Sequence, residues 1–222
     1  MKRVIISFVA IVAMITMSNA QVFVGGSVGI GTTGGKAKSG GISIDYPSTF
    51  TIDFSPKVGF FLSDDLSVGL DITFQNTKTT TPKYSGNDDR VVKSTAFGIG
   101  AFGRYKIAEA GNLAFLVEGD LGFLSAKSKT TIGSTTTEGD PVSVLYFGVL
   151  PVLSYELTSS LSLEANCNFL RLGFASYTVK DVKDKDNKTT SNAFELGANG
   201  YTLTDLGSYM WTPVQIGLIF KF

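Results

Sequence analysis

The chain has 222 residues, 43% of them hydrophobic, with 19 basic residues against 19 acidic ones and no histidine. That balance lacks the electrostatic footprint of a nucleic-acid binder, and the missing histidine takes the most frequent general base out of any enzymatic reading. The single cysteine, Cys167, cannot form an internal disulfide and is expected to pack as a small apolar residue.

Residues 1–20 have the form of an export signal. Lys2 and Arg3 give a positive start, Val4 to Met17 is apolar apart from Ser7 and Thr16, and Ser18-Asn19-Ala20 supplies small residues at the cleavage positions. The apolar stretch is shorter than the roughly 20 residues a spanning helix needs. The expected division is a signal peptide over 1–20 and one β-barrel domain over 21–222, with the mature chain starting at Gln21.

After residue 20 no apolar run could cross a bilayer as a helix, yet the chain is rich in apolar residues. Alternation with a period of two explains where they go. Val22–Ile30 sets Val22, Val24, Val28 and Ile30 against Phe23, Gly25, Ser27 and Gly29. Phe50–Leu62 sets Phe50, Ile52, Phe54, Val58 and Phe60 against Thr51, Asp53, Ser55, Lys57 and Gly59. Leu66–Phe74, Thr95–Tyr105 and Leu113–Phe123 repeat the pattern, with Gly and charged residues on the less apolar face. Leu145–Tyr155 differs in that its second face, with Tyr146, Leu150 and Val152, is also apolar. Leu161–Phe169 alternates up to a phase slip at Leu170-Arg171-Leu172, the mark of a bulge. Val214, Ile216, Leu218, Phe220 and Phe222 form one face of the last strand.

These are eight strands in an all-β, antiparallel, up-and-down pattern. Short hairpin turns at Ser63–Asp65, Glu109–Asn112 and Thr158–Ser160 alternate with longer connections at Thr33–Ser48, Thr77–Val92, Ala126–Pro141 and Lys180–Thr212. A transmembrane barrel of eight strands has this organisation, with its long loops on the outside. A soluble barrel of the lipocalin kind would share the period but face its apolar side inward. The apolar side here carries Phe on nearly every strand, too much volume for a lumen only side-chain wide, while the Gly/Ser/Thr side would fit. Aromatic residues also collect in two girdles. Phe60, Tyr105, Phe115, Tyr155, Phe220 and Phe222 form one, and Phe50, Phe74, Phe97, Phe147, Tyr177 and Trp211 the other. The expected fold is an eight-stranded antiparallel transmembrane β-barrel turned inside out.

With its alternating strands and the terminal strand Gln215–Phe222, the chain resembles the small OmpA/OmpX-type outer-membrane barrels of Gram-negative bacteria. The resemblance implies a barrel surrounded by outer-membrane lipid and lipopolysaccharide. It also implies that Phe222 belongs to the assembly signal read by the barrel-insertion machinery.

Other motifs carry less. Gly29-Ile30-Gly31-Thr32-Thr33-Gly34 fits G-x-G-x-x-G, but no helix pattern follows, so the glycines read as lumen packing. Asp184, Asp186 and Glu195 echo a calcium loop, but Thr189 stands where that loop needs Gly. No metal or cofactor is expected, nor a catalytic set, since no nucleophile–base–acid grouping is recognisable.

The charged residues of the inner face are more informative: Asp53, Lys57, Asp71, Arg104, Lys106, Glu118, Asp120, Glu156, Glu164 and Lys221. A hairpin pairing Leu62 with Leu66 puts Lys57 opposite Asp71, and the third hairpin puts Arg104 opposite Glu118. Such pairs either close the lumen as a plug or line a narrow ion path. Two functional readings follow. One is a non-enzymatic barrel acting through its outer loops, above all Lys180–Thr212 with Phe194, Tyr201, Tyr209 and Trp211. The other is a small porin or OmpW-like conduit, suggested by inward Leu116, Leu124, Leu150 and Val152.

Overall fold

The computed structural model describes residues 21–85, 88–168, 170–181, 187–197 and 214–222. The signal-peptide expectation for 1–20 lies outside them. Thirteen strands are formed among the described residues: β1 (Val22–Thr33), β2 (Lys36–Ser39), β3 (Ile42–Asp45), β4 (Ser48–Phe61), β5 (Leu66–Ser85), β6 (Asp88–Ala110), β7 (Leu113–Ile132), β8 (Thr135–Glu138), β9 (Val142–Thr158), β10 (Leu161–Cys167), β11 (Arg171–Lys180), β12 (Lys188–Gly197) and β13 (Val214–Lys221).

Eight of them close a ring of antiparallel ladders in the order β1, β4, β5, β6, β7, β9, β10, β13 and back to β1. Closure runs over Phe23–Val28 of β1 against Ile216–Lys221 of β13. Farther from the short turns, β11 takes over from β10 beside β9, and β12 pairs with β11. The strands β2 and β3 form a separate hairpin, and β8 folds back on β7.

Local chemistry sets the short turns. Gly111 takes a φ of 60° in the Gly111–Asn112 turn, a left-handed conformation that glycine adopts without a Cβ penalty. The Asn112 amide then donates to the Glu156 carbonyl at 3.2 Å and ties this turn to the neighbouring hairpin. At the β4–β5 turn the Ser63 hydroxyl accepts from the Leu66 N–H at 3.1 Å.

Alternation decides which side each residue faces. Phe54 is 52% exposed and Ile99 56%, whereas Asp53 is 1% exposed and Arg104 4%. A band of exposed Phe, Ile, Leu and Val all round a barrel would be an aggregation surface in water. Against acyl chains it is the solvated side, and the closed ladder satisfies the backbone groups that lipid cannot. The barrel is inside out, as the sequence indicates.

The structure corrects all four of the expected loops, Thr33–Ser48 holding the β2–β3 hairpin. Strands β5 and β6 run on through much of Thr77–Val92, β7 and β8 occupy most of Ala126–Pro141, and Lys180–Thr212 contains β12. Cross-strand threonine pairs hold these extensions, with Thr49–Thr79 at 3.0 Å, Thr51–Thr77 at 3.1 Å and Thr131–Thr136 at 3.0 Å between hydroxyls. Tyr177 is also corrected. It is buried in the lumen rather than standing in an outer girdle.

Candidate functional site

The lumen is filled in layers. At the short-turn mouth lies an open cavity of about 340 Å³ whose lining includes Asp64, Asp65, Lys106, Glu109, Glu156 and Lys221. Its charges pair at the rim: Lys106 Nζ lies 2.6 Å from Glu109 and 3.3 Å from Asp65, and Lys221 Nζ lies 3.3 Å from Glu156. Lys106 and Lys221, both expected in the lumen network, therefore belong to the mouth.

Above the mouth Phe23, Phe102 and Ile219 form a buried cluster with Phe61 packed against it. The ring centroid of Phe23 is 5.1 Å from that of Phe61 and 6.1 Å from that of Phe102. Glycines make the room. A Cβ on Gly59 would come closer than 3.0 Å to the Phe23 ring, and one on Gly69 equally close to the Phe102 ring.

A charged cluster sits at the same level. Lys57 on β4 reaches Glu118 Oε2 on β7 at 3.2 Å, and Arg104 Nη1 on β6 reaches Glu164 Oε1 on β10 at 2.9 Å. Each link spans three steps around the ring, so each crosses the lumen. Arg104 Nε also pairs with Glu118, its cross-strand neighbour, joining the two chords into one cluster. Two cations and two carboxylates balance, which a buried cluster of this kind requires. Phe102 lies between the cations, with Lys57 Nζ 5.0 Å and Arg104 Cζ 5.1 Å from its ring centroid.

The backbone register agrees with the hairpin reasoning, Lys57 facing Asp71 and Arg104 facing Glu118. The side chains depart from it at one point. Lys57 makes its ion pair with Glu118, while half-buried Asp71 accepts from the Thr73 hydroxyl at 3.4 Å.

A hydrogen-bonded polar layer follows. The Gln215 amide donates to Asp53, Ser27 Oγ donates to Gln215 Oε1 at 3.2 Å, and the Asn166 amide donates to Ser27 Oγ at 3.4 Å. The cavity in this region, lined in part by buried Asp120, is only about 30 Å³. That is hardly more than one water occupies. Beyond it Leu124, Val144, Tyr146 and Tyr177 form a second buried cluster, and a Cβ on Gly122 would collide with the Tyr146 hydroxyl. The inward apolar residues Leu124, Leu150 and Val152 are buried as expected, and Leu116 is half-buried.

Sequence reasoning missed Phe61 and Phe102, although parity with Gly98, Gly100 and Arg104 marks Phe102 as inward. Of the candidate loop residues, Phe194 is exposed on β12, and Tyr201, Tyr209 and Trp211 lie outside the described residues. Phe222 is exposed at the mouth, where its N–H donates to the Val22 carbonyl at 2.9 Å. Among the described residues no group of three or more potential metal-ligating side chains comes together.

The closed ladder, apolar exterior and polar, packed lumen define a small transmembrane β-barrel of the outer-membrane type. No family model and no curated protein sequence matches the chain. Among solved structures it is similar to Neisserial surface protein A, with 16% identity, a TM-score of 0.40, and coverage of 92% of this chain and 100% of that one. It is similar also to a major outer membrane protein from Thermus thermophilus, at 14% identity and a TM-score of 0.42 over the same shares. The translocator domain of the autotransporter NalP from Neisseria meningitidis is a third, at 12% identity and a TM-score of 0.39, over 83% of this chain and 63% of that one. The barrel assignment rests on this chain's own ladder and faces.

Proposed function

We propose that this protein is a non-enzymatic outer-membrane barrel with a sealed lumen, which presents its extended strands and loops at the cell surface. The observation that carries this reading is the pair of crossing ion links, Lys57–Glu118 and Arg104–Glu164, with a cavity of only about 30 Å³ beside them. The four charged groups pair with one another, so none of the four stands free in the lumen. The outward side offers β12 with exposed Phe194, in the segment that also carries Tyr201, Tyr209 and Trp211. In assembly, Phe222 is proposed to act as part of the signal for insertion.

A second reading, a conduit for small apolar solutes, draws support from inward Leu124, Leu150 and Val152 and from the open vestibule of about 340 Å³ at the mouth. Planar-bilayer recording of the refolded barrel separates the two. Silence across the voltage range is expected, and a steady ion conductance would overturn the sealed-lumen reading.

A further inference from the structure

On the outside of the barrel the residues facing lipid change character in a fixed order. Along β6 the outward positions are Lys93, Thr95, Phe97, Ile99 and Ala101, at steps of two. Register carries each level sideways. Phe97 faces Phe74, which faces Phe54, and the Phe74 and Phe97 ring centroids are 5.2 Å apart. One level out, Asn76, Thr95 and Lys127 are neighbours, with the Asn76 amide donating to the Thr95 hydroxyl at 3.1 Å. At the next level Lys78 faces Lys93, and Lys93 faces Lys129.

Like charges directly opposite one another in a ladder are destabilising. Here three lysines stand side by side across three strands, with Lys127 two residues away, and all four are exposed. Among the described residues only Lys129 has an ion-pair partner, Glu138 at 3.0 Å. In register, Ser143 on β9 and Ser176 on β11 lie level with Phe97 and Ile99, and farther out exposed Lys180 on β11 faces exposed Lys188 on β12, a separate pair from the three-strand row.

Below the lysines the same strands form an outward apolar groove of about 690 Å³, lined by Leu70, Ile72, Ile99, Ala101, Leu121 and Phe123 among others. From Lys93 to Ala101 the strand covers about 25 Å, which on a tilted strand is roughly one leaflet of a bilayer with its headgroup. Cations stand at the top and an apolar slot below.

We propose that the outer faces of β5, β6 and β7 bind a phosphorylated glycolipid of the surrounding leaflet. Lys78, Lys93, Lys127 and Lys129 hold its phosphate groups and the groove receives its acyl chains. The inference rests on the membrane-barrel reading but not on whether the lumen is sealed.

The test uses the full barrel refolded in a neutral detergent, with three probes: bis-phosphorylated lipid A, phosphatidylcholine of similar chain length and inorganic phosphate. Retention is read by native mass spectrometry, and the thermal unfolding midpoint is read alongside it. Wild type should retain lipid A and unfold at a higher temperature with it, and neither control should do the same. The variant K78Q/K93Q/K129Q should lose retention by about a hundredfold, each lysine at an anionic lipid surface being worth about fivefold. K78R/K93R/K129R and the hairpin variant K36Q/K38Q should retain it. Undiminished retention by the glutamine variant would overturn the proposal, as would equal retention of phosphatidylcholine or equal stabilisation by inorganic phosphate. Should the glutamine variant not fold, K127Q alone and the comparison of probes on wild type decide. A chain that refolds as a soluble monomer without detergent would refute the membrane barrel itself, whereas a detergent-dependent barrel indifferent to lipid A refutes only this site.

Discussion

Lys57 and Asp71 face each other across the β4–β5 ladder, yet the Lys57 ammonium extends past Asp71 to Glu118 on β7, 3.2 Å away. Lys57 therefore makes its ion pair beyond its neighbour in register. Lys57→Ala leaves Glu118 sharing Arg104 alone and should cost about 3–5 kcal/mol, whereas Lys57→Ala with Glu118→Ala leaves the neutral pair Arg104–Glu164 and should cost less than the sum of the single changes. The double-mutant cycle of Lys57 with Asp71, which share no ion pair, should show weaker coupling than that of Lys57 with Glu118. Urea unfolding in lipid vesicles measures both cycles, and equal coupling in the two would refute the cross-lumen link.

The second prediction concerns how the aromatic residues fit a narrow lumen. Gly122→Ala puts a methyl group against the Tyr146 hydroxyl and should destabilise the barrel by about 1–3 kcal/mol, the usual range for overpacking a filled interior. Combining it with Tyr146→Ala should recover part of that loss. A Gly122→Ala barrel as stable as wild type would mean that Tyr146 swings aside at no cost.

Orientation can be read by thiol labelling in a Cys167→Ser background. Cysteine placed at Ser134, in the turn between β7 and β8, should react with a membrane-impermeant maleimide on intact cells. Cysteine placed at Asn112, in the short Gly111–Asn112 turn, should react only after the outer membrane is permeabilised. The reverse pattern would invert the barrel.

The assembly role proposed for Phe222 predicts a loss that precedes folding. Burial of one aromatic at the interface contributes about 1.5–3 kcal/mol, so Phe222→Ala refolded in detergent should still run as a compact, heat-modifiable barrel. In cells the same variant should be depleted from the outer membrane and accumulate unfolded in the periplasm. Normal outer-membrane levels, measured by fractionation, would remove Phe222 from the assembly signal.

The strands and the near-neighbour pairs were legible because a hairpin fixes its register once its turn is located. Lys57 opposite Asp71 and Arg104 opposite Glu118 both follow from that rule. Links across the lumen were not legible, since which strands face each other depends on closure of the whole ring. Tyr177 shows how parity fails. The slip at Leu170–Leu172 moves the outward positions from odd on β10, as at Leu163, to even on β11, as at Phe174, and Tyr177 turns inward with it. The extended strands escaped notice for a different reason: Thr77–Thr81 offers no apolar contrast, and hydroxyl pairing rather than burial holds it in the ladder.

The length of β5 and β6 bears on how the surface of this protein tolerates change. About 9–11 residues of a strand suffice to cross a membrane, so beyond Phe74 β5 and β6 rise roughly 30 Å further, flanked by β4 as far as Thr80 and by β7 as far as Arg90. Only the tip, beyond Thr81 and Arg90, is left as two strands, an arrangement that is marginal by itself and takes its order from the staves at its foot. Tolerance should then be graded with height. Insertions and sequence drift are absorbed near the far end at little cost, while the same change near Gln75 or Ala96 would loosen everything above it. Variation among surface-exposed forms of this barrel would accordingly concentrate at this tip and thin out toward the phenylalanine belt.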